Sequence, residues 1–84
     1  MVLRYAPGAE SNTRFGFVVS KSVGGAVERN HVKRRLRELA RESDVNKLWD
    51  LIFIAKPAIA TARFENIKLE FDQLLGKAGV LVKL

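Results

Sequence analysis

The rhythm of apolar and polar positions changes several times along the chain, and each change predicts an element. Met1–Pro7 reads as a short strand ended by proline, followed by a polar loop through Glu10, Ser11, Asn12 and Thr13. Arg14–Lys21 alternates as a second strand, with Phe15, Phe17 and Val19 on one face and Gly16, Val18 and Ser20 on the other. Two such strands in succession predict an antiparallel hairpin with a long connection. Val23-Gly24-Gly25 marks a turn, and from Val27 to Arg41 the period becomes helical. Ser43 and Asp44 interrupt it, and Val45–Asp50 reads as a connection, with Trp49 expected to pack over the sheet edge. Leu51–Ala55 is continuously apolar, the pattern of a strand covered on both faces and paired in parallel after a helical crossover. Pro57 ends it.

Thr61 is the expected cap of a last helix, on which Phe64, Ile67, Phe71, Leu74, Leu75 and Ala78 keep to one arc and Leu69 falls opposite. Gly76 and Gly79 are expected to close this helix, and residues 80–84 fit either a short strand or a tail. The order β-β-α-β-α describes an α+β fold, a small two-layer sandwich of sheet and helices over residues 1–84, a single domain. A parallel pair joined through a helix is right-handed by default.

Charge changes the picture of the first helix. Lys21–Arg41 carries seven basic residues (Lys21, Arg29, Lys33, Arg34, Arg35, Arg37, Arg41) and two acids (Glu28, Glu38), a net +5 against +6 for the whole chain. At about 100° per residue, Val32, Leu36, Leu39 and Ala40 form one apolar stripe. Lys33, Arg37, Asn30, Arg41 and Arg34 form the opposite face, and Glu28, Glu38 and Glu42 fall off it. Arg29 projects into the apolar arc of an ideal helix and is expected in the turn leading into it, where it can reach outward. A solvated helix face usually mixes the two signs. Concentrating one sign is the footprint of a polyanionic partner. The two glycines of the turn allow a phosphate to approach the backbone, although a tight turn without a ligand needs them equally.

Other chemistry is poorly represented. The chain has no cysteine, which rules out disulfides and thiolate metal sites, and its one histidine, His31, rules out multi-histidine metal sites. The nine acids are scattered, so a protein-borne two-metal nuclease is not expected. No apolar run approaches a membrane span, and no signal peptide is visible. Phe15 and Phe17 are read either as core or as a platform on which bases stack.

The run Val23, Gly24, Ala26, Val27, Arg29, Asn30, Lys33, Arg34, Arg37 reads V-G-x-A-V-x-R-N-x-x-K-R-x-x-R. Together with the strand Arg14–Lys21 before it and Leu51–Pro57 after it, it resembles the bacterial ribonuclease P protein subunit over nearly all of the chain. The resemblance implies a ribosomal-protein-like fold with a left-handed βαβ crossover, against the default hand. It implies a non-catalytic protein subunit of an RNA-based endoribonuclease that matures the 5′ end of tRNA. The partners implied are the catalytic RNA and precursor tRNA, in the cytoplasm, with no membrane and no DNA. Mg²⁺ would be bound mainly by the RNA. Lys21, Arg29, Asn30, Lys33, Arg34, Arg37 and Arg41 would bind the catalytic RNA. Arg4, Tyr5, Phe15, Phe17 and Ser20 would line a cleft for the 5′ leader. Family members usually begin with a basic, aromatic-bearing helix that forms one wall of this cleft, and that helix is expected to be missing here. Arg4 stands where an aromatic is frequent, and Lys21 is followed by Ser22 rather than a second basic residue. The rival is a ribosome-associated or other structural RNA-binding module. A helix-turn-helix DNA reader would need a short helix before the basic one, where this chain has a strand.

Overall fold

The most apolar strand of the chain is also the middle one. In the computed structural model, which describes residues 1–8, 13–43, 45 and 49–79, the order is β1 (Val2–Pro7), β2 (Arg14–Val18), α1 (Ala26–Glu42), β3 (Trp49–Ile54), a 3₁₀ turn (Pro57–Thr61) and α2 (Phe64–Ala78). The sheet runs β1-β3-β2. β3 pairs antiparallel with β1, from Val2 opposite Ile54 to Pro7 opposite Trp49. It pairs in parallel with β2, from Arg14 opposite Asp50 to Val18 opposite Ile54. The α+β order and the parallel β2–β3 pair agree with the sequence.

The predicted β1–β2 hairpin does not form, because β3 takes the place between the two strands. The apolar run Leu51–Ala55 supplies more apolar surface than either neighbour, and the central position lets it bury most of it. β3 is also longer than predicted and begins at Trp49. The Trp49 ring meets Tyr5 of β1 edge to face, with centroids 5.8 Å apart. Asp50 accepts two hydrogen bonds from Arg14 of β2, from Nε at 2.9 Å and Nη2 at 2.7 Å. These two contacts tie the start of the central strand to both edges. β2 is shorter than predicted and ends at Val18; the chain then turns, with Val23 N–H donating to the Ser20 carbonyl (3.0 Å).

The core lies on one side of the sheet. Leu51 and Phe53 of β3, Leu36 of α1, and Phe71 and Leu75 of α2 are its largest fully buried side chains. Each contributes about 1.5–3 kcal/mol by leaving water. Phe53 and Phe71 stack with centroids 4.2 Å apart, which fixes α2 over β3. Both-face coverage of β3 is not observed among the described residues: Ile52 is 42% exposed, between Arg4 and Gly16, and Val2 and Val18 flank Ile54 on the same open face. A continuous apolar run here records a central strand, whose two lateral neighbours protect its backbone, rather than a strand with helices on both sides.

Both helices start without a side-chain cap. Thr61 does not cap α2: its hydroxyl donates to the Ala58 carbonyl at the end of the 3₁₀ turn (3.4 Å), and Arg63 holds the cap position. Gly76 lies inside α2. Gly79, at φ 71°, ends the helix in the left-handed conformation that glycine accepts without a Cβ penalty. Leu69 is exposed, as its place opposite the apolar arc predicts. Residues 80–84 lie outside the described residues.

Candidate nucleic-acid interface

α1 is built to hold charge on a rigid axis. Its interior is mostly Arg, Leu, Glu and Ala, all good helix formers. Glu28 in the first turn and Arg41 in the last complement the helix dipole. At the C-terminus, the Ser43 hydroxyl donates to the Leu39 carbonyl (2.7 Å), and the Ser43 N–H donates to the Ala40 carbonyl (3.2 Å). Val32, Leu36, Leu39 and Ala40 are buried, as the periodicity predicts.

The side chains opposite this stripe stay on the surface. Asn30, Arg34, Arg37 and Arg41 are exposed and line an open depression with Glu38, so one acid does border the basic face. Lys33 is half-buried, and Lys21 is exposed in the preceding turn. Among the described residues, none of Lys21, Arg29, Lys33, Arg34, Arg37 or Arg41 forms an ion pair within 4.0 Å; the one ion pair between side chains there joins Arg14 and Asp50. The basic face is therefore available to an outside anion.

Arg29 departs from its expected place. The helix begins at Ala26, so Arg29 is helical, half-buried, and its Nε is buried without a hydrogen-bond partner. Its backbone N–H donates to the Gly25 carbonyl (2.9 Å), which starts the helix a residue earlier than the apolar pattern suggests. Gly24 enables this tight approach. A Cβ there would lie 2.9 Å from the Cβ of Glu28, an atom fixed to the helix backbone. Arg35, off the basic face, sits over the ring of Phe64 of α2 at 5.9 Å and so belongs to the helix–helix contact. His31 is exposed.

The residues predicted for one leader cleft are not brought together. Arg4 lies on the open face of the sheet beside Ile52, whereas Tyr5, next in the strand, lies on the helix-covered face against Trp49. Phe15 and Phe17 share that covered face but belong to the opposite edge strand, where they pack against the core. Ser20 is exposed in the turn, its hydroxyl 2.6 Å from that of Ser22. Two causes act: alternation along β1 parts Arg4 from Tyr5, and β3 separates β1 from β2 by a full strand.

A different grouping appears instead. Phe15 and Phe17 of β2 and Lys33, Arg37, Ala40 and Arg41 of α1 line one groove of about 540 Å³. Lys33, Arg37 and Arg41 recur every fourth residue, so the row along α1 was visible in the sequence. That this row faces the Phe-bearing strand edge was not. Among the described residues, no three of His, Cys, Asp and Glu gather to hold a metal ion. No helix among the described residues is long and apolar enough to cross a membrane.

Known proteins resemble this chain in sequence and in fold. The family model for ribonuclease P matches residues 1–79. The ribonuclease P protein component of Dehalococcoides mccartyi is 44% identical over 82 residues, covering 98% of this chain and 68% of that protein. The ribonuclease P protein component of Roseiflexus castenholzii is 39% identical over 84 residues, covering 96% of this chain and 69% of that protein. The solved ribonuclease P protein of Staphylococcus aureus superposes with a TM-score of 0.82 at 28% identity, covering 95% of this chain and 75% of its own. With the basic helix, the sheet order and these relatives in agreement, the chain belongs to the ribonuclease P protein family.

Proposed function

We propose that this chain, as a ribonuclease P protein component, uses α1 to hold the catalytic RNA while the RNA carries out 5′ maturation of tRNA. One observation carries the reading. The cations of Arg29, Lys33, Arg34, Arg37 and Arg41 lie along a single helix, with no ion-pair partner among the described acids. Guanidinium forks suit phosphate oxygens, and neutralising closely spaced phosphates lets RNA strands approach one another. Asn30 lies on the same exposed surface, and Lys21 adds a further exposed cation in the turn before the helix. The reaction is assigned to RNA-bound Mg²⁺, and the protein's contribution is placement and charge. Precursor tRNA is the substrate, and the cytoplasm is the proposed compartment. Residues 1–84 are taken as one unit, a reading supported by a core shared between the sheet and both helices.

The test is reconstitution. The protein is added to ribonuclease P RNA with precursor tRNA at a Mg²⁺ concentration too low for the RNA alone. Faster 5′ cleavage supports the reading. Unchanged cleavage, with the chain folded by circular dichroism, overturns it and leaves a structural RNA-binding module.

A further inference from the structure

We propose that the groove between β2 and α1 receives one unpaired nucleotide of the RNA that lies on α1, with its base against Phe15 and Phe17 and its phosphates on Lys33, Arg37 and Arg41. This inference rests on the RNA-binding reading above and adds a specific feature of the bound RNA: a base turned out of its helix.

The aromatic side of the groove is a set of near-parallel rings. Phe15 and Phe17 lie 10° from parallel with centroids 6.3 Å apart, and they lie 12° and 21° from the plane of Phe53. Phe53 has a planar partner, because Phe71 of α2 stacks on it at 4.2 Å. No described ring stands over Phe15 or Phe17 in the same way. α1 passes on that side and presents Ala40, a small residue, flanked by three cations. The helix thus leaves room where α2 fills it.

The lining selects the ligand's chemistry. The groove holds two aromatic rings and three cations, and no acid lines it. Its volume falls within the range of about 300–1,000 Å³ common to small-ligand sites. An apolar ligand would leave the cations without a counter-charge, and a double-stranded helix keeps its base faces stacked inside and could not reach the rings. A nucleotide released from pairing supplies both a planar face and an anion. Arg37 and Arg41 also line the outer depression with Asn30 and Arg34, so the groove opens onto the basic face. One RNA can follow the face and place a base in the groove.

The experiment uses the full chain and two probes: an oligoadenylate of about eight nucleotides, and a blunt RNA duplex of about 16 base pairs. Affinities are measured by fluorescence anisotropy for the wild type, Phe15→Leu/Phe17→Leu and Arg37→Ala. The double leucine variant should bind the single strand about 5- to 100-fold more weakly while its duplex affinity and salt slope stay the same. Arg37→Ala should weaken both probes. In the wild type, the ring protons of Phe15 and Phe17 should shift upfield in NMR spectra on adding the single strand and stay in place on adding the duplex. Unmoved ring protons overturn the groove proposal, whether or not the leucine variant folds. An equal loss for both probes in a folded leucine variant overturns it too, with the basic-face reading intact. If Arg37→Ala leaves both affinities unchanged, the parent reading fails instead.

Discussion

Substituting Arg34 and Arg37 together by alanine isolates the electrostatic role of α1 from its structural role. Both side chains are exposed, and neither forms an ion pair with a described acid, so their loss leaves the core untouched. Arg29 is a poorer probe, because its Nε is buried and its removal alters packing as well as charge. If the five cations Arg29, Lys33, Arg34, Arg37 and Arg41 each neutralise one phosphate, the logarithm of affinity falls by about 4.5 per decade of salt. From about 50 to about 200 mM salt, the wild type then loses about 500-fold in affinity for the ribonuclease P RNA, and a variant with three contacts loses about 40-fold. The ratio between the two proteins shrinks about twelvefold over that range. Filter binding at four or five salt concentrations measures it. A wild-type-to-variant ratio that stays constant with salt would refute the reasoning, since the lost interaction would not be a phosphate contact. Equal affinities throughout would mean that the face is only solvated.

Three further outcomes follow from local geometry. Gly76→Ala should stabilise the chain by about 0.5–1 kcal/mol in urea denaturation, because Gly76 is helical and a Cβ there meets nothing within 4 Å. Gly24→Ala should cost about 1–3 kcal/mol, because its Cβ would press on that of Glu28; a neutral result would show that the turn is free to shift. Asp50 has its pKa lowered, chiefly by the hydrogen bonds from Arg14. A lowered carboxylate pKa favours the folded state above the unfolded value of about 3.9, and the gain is lost as pH falls through the folded value. The melting temperature of Asp50→Asn should therefore lie below that of the wild type near neutral pH, and the two should converge below about pH 4. A gap that persists in acid would assign the effect to something other than the ion pair.

Local pattern alone determined α1. Val32, Leu36, Leu39 and Ala40 had to share a buried stripe, and Arg34, Arg37 and Arg41 had to face away, because a helix fixes direction at every residue from its own period. The same period accounts for the exposed Leu69 of α2. Sheet order escaped the sequence, since pairing joins residues far apart in the chain and a hairpin between successive strands is merely the commonest choice. Alternation along β1 puts Arg4 and Tyr5 on opposite faces, and β3, lying between β1 and β2, puts a full strand between Tyr5 and Phe17. The same insertion set the Phe15–Phe17 edge beneath the Lys33-Arg37-Arg41 row. Which side of a strand a helix covers depends on the tertiary packing of Phe53, Phe71 and Leu36. That packing brought an aromatic edge and a cationic row into one groove, although each was already legible separately in the sequence.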